Sequence, residues 1–537
     1  MPTAVVIGGG PAGLATSALL AREGYRVTLL EAREVLGGRA SVWEKDGFRF
    51  DIGPSWYLMP EVFEHFFALM GTSAAQELDL VTLDPAYRVL YENHEPLEIR
   101  SDLEDSVALF EGIEPGAGAR LRAYLDSASD TYTMATRHFL YTTFASILPL
   151  ANGDVLRRLP RLGRLLTQSL DARIRSTVQD TRLRQVLGYP AVFLGSAPRL
   201  TPSMYHLMSH LDLVDGVQYP QGGFGTLIDA MARVAERAGV EIRTGADVRA
   251  ITTASSGRSR GKVARATGVR FDDGQGEHHL AADLVVSTAD LDHSEHRLLP
   301  APLRSHSPRW WRTQVPGPSA VMIYLGVRGS LPELRHHTLL FGEEWDRTFE
   351  QIFAPDGPTQ RPLLPDPTSV YVSRVTATDP GAAPDGMENL VVLVPAPPDV
   401  RLGRGGLDGD GDPWVEQVAD RAIAQIADWA GIDDLADRIV LRRTVGPQDW
   451  AEDLRAWRGT ALGPAHTLGQ SAMFRASGAS SKVEGLLFAG GSVTPGIGLP
   501  MCVISAELVI KRLRGDTSTG PLAETGRIGQ PVGGAGA

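Results

Sequence analysis

Three glycines near the start of the chain have the spacing of a pyrophosphate-binding turn. Gly8, Gly10 and Gly13 follow the apolar residues 4–7, which predict a buried strand, and they precede a helical pattern. In this setting Gly8 allows a tight turn, Gly10 lets the backbone approach a pyrophosphate, and Gly13 lets the helix pack on the strand. Glu31 ends a second predicted strand and is placed to accept from ribose hydroxyls. The pattern predicts an adenine dinucleotide bound at a helix N-terminus.

A second glycine group follows Glu31 and indicates which dinucleotide binds. Gly37, Gly38 and Arg39, together with residues 50–55 (Phe-Asp-Ile-Gly-Pro-Ser), resemble the flavin-binding signature of the monoamine-oxidase and phytoene-desaturase superfamily. The resemblance implies FAD, with a loop that crosses the pyrophosphate and a fixed positive charge on Arg39. Glu31 would repel a 2′-phosphate, which argues against NADP. Because the sequence has no second nucleotide turn of this kind, we expect a diffusing acceptor, oxygen or a quinone, to reoxidise the flavin.

A late segment resembles the part of these flavoproteins that returns to the flavin. Residues 486–492 are an apolar run that ends in glycines, and residues 494–500 (Thr-Pro-Gly-Ile-Gly-Leu-Pro) precede a helix predicted over 501–513. In the superfamily such a strand rejoins the nucleotide sheet, and the helix aims its N-terminus at the isoalloxazine. A helix dipole there stabilises the anionic reduced flavin.

The likeness extends over residues 3–513, which resemble bacterial phytoene desaturases of the lycopene-forming, FAD-dependent type. The N-terminal motifs occur throughout the superfamily, whereas residues 458–468 and 494–500 are narrower motifs that resemble those of carotenoid desaturases and their close isomerase and ketolase relatives. Residues 490–496 (Gly-Gly-Ser-Val-Thr-Pro-Gly) resemble the actinobacterial variant of this segment. Further matches are residues 219–223 and the motif His336-His337-Thr338.

The resemblance implies a set of FAD contacts spread along the chain. Val248 matches the position whose backbone meets adenine, with an ordinary core valine as the alternative. The residues predicted to bind FAD are Gly8, Gly10, Pro11, Ala12, Gly13, Glu31, Ala32, Gly38, Arg39, Pro54, Ser55, Val248, Gly491, Leu499, Pro500 and Met501. His466 is a candidate proton acceptor near the ring, with a structural histidine as the alternative. Cys502 is a candidate for covalent flavin attachment, with a small buried residue as the alternative.

The implied reaction removes a hydride and a proton from adjacent saturated carbons, and converts phytoene to lycopene in four such steps. A hydrocarbon offers no heteroatom to hold, so we expect an apolar tunnel with the flavin as the redox group and no metal. Several alternatives stay open: a carotene cis–trans isomerase, a ketolase or C30 desaturase, an amine or porphyrinogen oxidase, and a prenyl-binding escort protein without redox activity.

Length, charge and cysteine content restrict the other functions. The chain has 537 residues, too many for one hydrophobic core, and a net charge of −12, which argues against nucleic acid as a partner. Its single cysteine excludes an internal disulfide and fits a reducing compartment. The first strand is predicted to begin at about residue 3, so no leader peptide is expected before it. These features predict a cytoplasmic enzyme.

One segment suggests contact with a membrane surface. Nine arginines but only three aspartates lie between residues 151 and 200, directly after the apolar residues 139–150. A basic helix beside an apolar stretch is typical of an interfacial anchor, although a solvated basic face gives the same pattern. Neither residues 139–153 nor residues 485–506 are expected to cross a bilayer, since both contain helix-breaking prolines. We therefore expect peripheral association with the cytoplasmic membrane.

The elements that must position these residues predict an α/β fold. It consists of a discontinuous Rossmann-type FAD-binding domain, a mixed α+β substrate domain and a helical membrane-facing region. The predicted boundaries are 1–105, 215–299 and 480–514 for the FAD-binding domain, 106–214 for the helical region, 300–479 for the substrate domain, and 515–537 for a disordered tail.

Overall fold

A computed structural model describes residues 1–146, 148–150, 153–259, 262–353 and 364–524. One half of the molecule is built on a five-stranded parallel sheet, here the nucleotide sheet, whose strands come from all along the chain. In spatial order its strands are Leu486–Phe488, Leu284–Ser287, Thr3–Ile7, Arg26–Leu30 and Glu241–Arg243.

The nucleotide sheet is covered on both faces, which explains its continuous apolar strands. Ala4 and Val6 pack among residues of the helices on one face, and Val5 and Ile7 pack among strand residues on the other. Three helices cover the first face: Pro11–Arg22, Phe224–Arg237 and Leu499–Arg514. The second face meets the strands Asp247–Ser259, Lys262–Asp272, Glu277–Ala281 and Val483–Glu484.

A seven-stranded sheet, here the substrate sheet, forms the second half of the molecule. Its helix Pro413–Ala430 packs on one face, where Val321, Ile323 and Leu325 form a core with Val415 and Ala419. The opposite face lines a cavity described below. In spatial order its strands are Ile439–Val445, Ser319–Arg328, Met387–Ala396, Val370–Ser373, His337–Phe341, Tyr87–Tyr91 and Leu97–Ile99.

Helices between the two sheets form a third layer over the cavity. The longest, Ala117–Ala135, continues into a π-helical turn at Thr136–Leu140. The other α-helices are Pro60–Leu69, Ala74–Glu77, Leu103–Ile113, Gly153–Thr167, Leu170–Thr177, Thr181–Gly188, Met208–His210, Leu291–His296, Pro308–Thr313, Trp345–Ile352, Leu435–Arg438 and Pro447–Asp453. Two small antiparallel pairs complete the described strands: the hairpin of Val42–Lys45 with Phe48–Asp51, and Leu80–Thr82 with Gln218–Pro220, which are distant in sequence.

The structure corrects the predicted boundary of the FAD-binding domain at residue 105. Strands Tyr87–Tyr91 and Leu97–Ile99 belong to the substrate sheet, because Tyr87–Tyr91 pairs in parallel with His337–Phe341. That partner lies some 250 residues away in the sequence. The chain therefore enters the second sheet before it forms the helical layer.

The predicted disordered tail also needs correction. Residues 515–524 pack on the body of the protein, where Leu522 is buried and its N–H donates to Glu507 at 3.0 Å. The Lys511 ammonium reaches into this segment and donates to the carbonyls of Ser518 and Gly520. Residues 525–537 lie outside the described residues. In the part of the chain that the structure describes, no helix has the length and apolar character needed to cross a bilayer.

Candidate flavin site and adjoining cavity

A cavity of about 540 Å³ begins at the glycine turn and extends between the substrate sheet and the helical layer. All of the residues predicted to bind FAD line it except Gly13. His466 and Cys502 line it as well. Motifs that lie almost 500 residues apart in the sequence are therefore brought together around one space.

The glycine turn has the geometry that its sequence requires. Gly8 has a φ of +102°, and its N–H donates to the carbonyl of Leu30 at 2.8 Å. A Cβ on Gly13 would lie 1.8 Å from the carbonyl oxygen of Gly8, so only glycine lets the helix approach the turn. The helix Pro11–Arg22 begins without a side-chain cap, which leaves its N-terminus open to an anion.

Glu31 is fixed by the turn that it faces. Its Oε2 accepts from the Gly9 N–H at 2.6 Å, and its Oε1 accepts from the Arg33 N–H at 2.9 Å. The carboxylate is buried and lines the cavity. Its orientation is set before any ligand binds, and its remaining lone pairs suit ribose hydroxyls.

The second glycine group closes over the first. The Gly37 N–H donates to the Gly9 carbonyl at 2.9 Å, and Gly37 and Gly38 both have positive φ. Arg39 follows with its Nη2 4.0 Å from Asp290 Oδ2 and 3.5 Å from the Thr460 carbonyl. Its buried Nε has no hydrogen-bond partner among the described residues. A cradle of glycines with an unsatisfied guanidinium N–H fits the phosphates of a dinucleotide.

Asp51 has a structural role in the same motif. Its carboxylate accepts from the N–H of Phe224 at 3.0 Å and of Gly225 at 3.4 Å, at the start of the helix Phe224–Arg237. Burial raises the pKa of Asp51 to about 6, although these two hydrogen bonds oppose the shift. A Cβ on Gly53 would lie 2.1 Å from the Arg39 carbonyl, so Gly53 allows Pro54 and Ser55 to reach the cavity.

The late helix opens on the same space. Leu499–Arg514 begins after Gly498, which has a φ of +120°, and no side chain caps it. Its first residues line the cavity together with Gly491. Burial raises the pKa of the Cys502 thiol to about 11, so the thiol is neutral at physiological pH. Covalent attachment of a flavin at Cys502 remains a prediction.

Arg475 is an important residue that the sequence analysis did not find. It is 5% exposed and makes no ion pair with a carboxylate in the described parts of the chain. Burial lowers its pKa to about 10, so it still carries its charge. Its guanidinium donates instead to four carbonyls, those of Pro464, Gln470, Gly491 and Val493. Arg475 thereby joins the family-specific segment 458–468 to Gly491 and Val493, which directly precede the segment 494–500.

His466 lies at this junction. Its Nδ1 is 3.0 Å from the Leu194 carbonyl and therefore carries a proton. Burial, and then the charge on Arg475, lower the pKa of His466 to about 3, so the imidazole is neutral. A role for His466 as a proton acceptor remains a prediction.

Beyond the flavin motifs the cavity has aromatic walls. Trp56 stacks on His337 with ring centroids 4.7 Å apart and donates from Nε1 to the Tyr371 hydroxyl at 3.2 Å. The same hydroxyl lies 2.5 Å from Ser55 Oγ and 2.8 Å from His337 Nδ1. Burial lowers the pKa of both His336 and His337, so the histidine motif is neutral and holds this wall in place. Further aromatic wall residues are Tyr189, Phe193, Phe341 and Trp345.

Charge is unevenly distributed along the cavity. The charged residues that line it gather at the nucleotide end, where Arg455 binds Asp247 and Arg39 lies near Asp290. Apart from Asp453, which lies two residues before Arg455 in the sequence, the wall formed by the substrate sheet and the helical layer has no charged side chain among the described lining residues. Nor do the described residues contain three His, Cys, Asp or Glu side chains placed to hold a metal ion.

Comparison with known proteins agrees with this arrangement. Residues 11–510 match the family described as flavin containing amine oxidoreductase. The carotenoid 3,4-desaturase of Haloarcula japonica is 39% identical over 502 residues, which cover 94% of this chain and 96% of that protein. The phytoene dehydrogenase of Streptomyces griseus is 36% identical and covers 95% of each chain.

Among solved structures, an oxidoreductase from Methanosarcina mazei has a TM-score of 0.58 at 17% identity, over 95% of this chain and all of that one. This likeness shows a shared fold. The family match and the flavoprotein fold identify FAD as the cofactor and confirm the predicted fold class. The chain belongs to the flavin containing amine oxidoreductase family and, within it, to the FAD-dependent enzymes related to carotenoid desaturases.

Proposed function

We propose that this enzyme is a carotenoid desaturase that converts phytoene to lycopene. One observation carries the proposal: the cavity is charged at its nucleotide end and uncharged and aromatic beyond it. A hydrocarbon can enter such a space without burying an unpaired charge, whereas an amine or a porphyrinogen would need a polar partner there. The names of the Haloarcula and Streptomyces relatives support the same class of substrate.

Under this proposal, some residues of the chain bind the cofactor and others exclude water from the substrate. FAD, when bound, supplies the two-electron acceptor that the reaction needs. Glu31 would bind the ribose, Arg39 and the N-terminus of Pro11–Arg22 would bind the phosphates, and the N-terminal end of the helix Leu499–Arg514 would stabilise the reduced flavin. Trp56, Tyr371 and Phe341 exclude water and orient the polyene along the wall. The acceptor that renews the flavin is a diffusing oxidant, oxygen or a quinone.

The substrate resides in lipid, and we propose that the enzyme docks on the cytoplasmic membrane to reach it. In the structure, several arginines of the basic segment 151–200 form ion pairs with acidic residues. Arg158 and Arg161 both pair with Asp130, and Arg175 and Arg199 both pair with Asp346. These four arginines are therefore partly neutralised, and the docking surface must depend on other residues.

Exposed apolar residues supply that surface near the cavity. The hydroxyl of Tyr205, which lines the cavity, donates a hydrogen bond to Ser471 Oγ. The hydroxyl of Ser203 donates to the Leu165 carbonyl. The helix Gly153–Thr167 and the segment 468–474 therefore pack on the same turn. We call their exposed apolar residues the apolar rim: Leu159, Leu468, Met473 and Phe474. Exposed Arg157 and Arg164 flank it and suit anionic lipid headgroups.

The test is expression in a host that accumulates phytoene, with carotenoids resolved by chromatography. Lycopene in the cells is the expected result, and Gly13→Val, which cannot form the nucleotide turn, is the control that should leave phytoene. Phytoene that persists beside a correctly folded, FAD-loaded enzyme would contradict the proposal. A product desaturated at C3–C4, or isomerisation without oxidant, would assign the enzyme to a related activity instead.

A further inference from the structure

The segment that follows the helix Pro447–Asp453 connects the two halves of the molecule, and we call residues 454–461 the bridging segment. None of its residues belongs to the predicted FAD contacts. Arg455 and Ala461 line the cavity. Arg455 and Arg458 have left-handed φ values of +54° and +56°. Such values are uncommon for residues other than glycine and occur often at ligand clamps, which points to a use for this segment.

The bridging segment is fixed to the half that is built on the substrate sheet. The Gly459 carbonyl accepts from Ser319 Oγ at 2.6 Å, and the Ala461 N–H donates to the Pro318 carbonyl at 3.1 Å. A Cβ on Gly459 would lie 2.2 Å from the carbonyl oxygen of Pro447, so the segment packs directly on the start of the preceding helix. The segment is therefore held in place by the substrate half.

Arg455 reaches from this segment to the half that is built on the nucleotide sheet. Its Nη2 donates to Asp247 Oδ1 at 2.5 Å, and its Nη1 donates to His293 Nε2 at 3.0 Å. Asp247 begins the strand Asp247–Ser259, and His293 belongs to the helix Leu291–His296. Burial, and then the charge on Arg455, lower the pKa of His293 to about 4, so its imidazole is neutral and can accept. One guanidinium therefore links two elements of the nucleotide half to the substrate half.

This link lies where the nucleotide end of the cavity meets solvent. All three linked side chains line the cavity, and so does the exposed residue Asp453. Asp247 also pairs at 2.9 Å with Arg249, which is exposed to solvent. Val248, the position predicted to meet adenine, directly follows Asp247 in the strand and lines the cavity. The link therefore spans the cavity next to the predicted adenosine site.

We infer that Arg455 retains the cofactor. Its link to Asp247 and His293 closes the adenosine end of the FAD site, so that FAD enters or leaves only while the link is broken. The inference goes beyond the proposed function, because it concerns the exchange of the cofactor and not the substrate. It also explains why the substrate half, through the bridging segment, contributes a charged side chain to the nucleotide end of the cavity.

A link of this kind has a particular kinetic effect. It joins groups of the protein only, so it adds the same free energy to the free and the FAD-bound enzyme and leaves the dissociation constant of FAD almost unchanged. It must break on the path in both directions, so it slows association and dissociation by the same factor. The side chains of Arg455 and Asp247 are 29% and 17% exposed, so salt should weaken their pairing and speed both steps.

The experiment measures both rate constants by flavin fluorescence. Association is followed when FAD is mixed with enzyme stripped of its cofactor, and dissociation is followed when the holoenzyme is diluted. Arg455→Met keeps the aliphatic stem and removes the link, and we expect both rate constants to rise about 10-fold at low salt. Their ratio should stay within about twofold of wild type. Asp247→Asn should speed both steps less, because its amide oxygen still accepts a hydrogen bond. High salt should speed exchange in the wild type but not in Arg455→Met.

Arg404→Met is the matched control. Arg404 pairs with Asp449 and Glu452 on the helix that precedes the bridging segment, but it is not among the residues that line the cavity. It should exchange FAD at wild-type rates. Wild-type exchange in both Arg455→Met and Asp247→Asn, or equal acceleration in Arg404→Met, would overturn the inference. Faster release without faster association would overturn it too, because Arg455 would then bind FAD directly. These measurements need no substrate, so their outcome is independent of whether the enzyme desaturates phytoene.

Discussion

At the scale of single residues, the nucleotide turn depends on the absence of one carbon atom. A Cβ at position 13 would lie 1.8 Å from the Gly8 carbonyl and 3.0 Å from Thr288 Oγ1. Because the 1.8 Å contact is to backbone, rotation of a side chain cannot relieve it. We expect Gly13→Ala to lose most of its FAD on purification, measured as the ratio of flavin to protein absorbance.

Gly112 supplies the matched control for that substitution. It lies within the helix Leu103–Ile113, and a Cβ there would meet nothing within 4 Å. Gly112→Ala should retain full FAD content and gain up to about 1 kcal/mol of stability from better helix propensity. Equal FAD content in the two variants would contradict the packing role of Gly13.

Arg475 is a second single residue on which the site depends, and it acts through its charged guanidinium group. Its guanidinium donates to four backbone carbonyls, including those of Gly491 and Val493, which lie shortly before the helix Leu499–Arg514. Arg475→Met leaves these carbonyls unpaired, and we expect the free energy of unfolding to fall by about 3 kcal/mol and FAD to bind more weakly. Arg475→Lys keeps the charge without the planar fork, so it should recover part of both losses. Denaturant unfolding and FAD titration measure the two effects, and identical behaviour of Met and Lys variants would exclude a role for the charge.

The glycine motifs were predictable from sequence because each position requires a glycine, either for a positive φ or for a close approach of two backbone segments. A Cβ on Gly13 would meet the backbone of Gly8, and one on Gly37 would meet the backbone of Ser41, while Gly8 itself has a positive φ. Arg475 was not predictable in this way. It is an isolated polar residue outside the recognised motifs, and only the fold shows that it is buried and what it contacts. For such residues the sequence contains no spacing rule to recognise.

At the scale of elements, local patterns indicated the nucleotide sheet better than the substrate sheet. Residues 4–7 are apolar throughout, and the structure shows why: helices cover one face of this strand and antiparallel strands the other. Strand Tyr87–Tyr91 has a similar pattern but pairs with His337–Phe341 in the other sheet. Periodicity predicts that a strand exists, but it contains no information about a partner 250 residues away.

The C-terminal segment shows how a composition rich in Gly, Ser and Thr can mislead. The Lys511 ammonium is buried and donates to the carbonyls of Tyr141, Ser518 and Gly520. Deleting residues 516–537 removes two of these three acceptors and exposes the site of Leu522. We expect this to lower the free energy of unfolding by about 4 kcal/mol, because a buried ammonium loses partners and apolar contact is lost. Thermal unfolding of the holoenzyme measures the change.

A chain that ends at Glu524 is the matched control for this deletion. It keeps the contacts of Ser518, Gly520 and Leu522 and should unfold at the wild-type temperature. If both truncations unfold alike, the packing of residues 515–524 does not contribute to stability.

At the scale of the whole molecule, the distribution of charge suits both the cofactor and the proposed substrate. Charged side chains gather at the nucleotide end of the cavity, and the uncharged wall beyond it is the part that would receive a hydrocarbon. The apolar rim and its flanking arginines lie on the outside of the helix Gly153–Thr167 and the segment 468–474. A lipid-soluble substrate could thus pass from bilayer to flavin along apolar surface.

Membrane docking is tested on the apolar rim itself. Met473 and Phe474 are 48% and 61% exposed, and their joint substitution by glutamate removes two apolar side chains and adds two negative charges. Binding to anionic vesicles should weaken about 100-fold or more in a flotation assay, since each buried side chain contributes about 2 kcal/mol and each charge about 1 kcal/mol. Val440→Glu is the control, because Val440 is 42% exposed on the edge strand of the substrate sheet. Turnover of phytoene in detergent should survive in both variants, whereas vesicle binding that is equally strong in both would place the docking surface elsewhere.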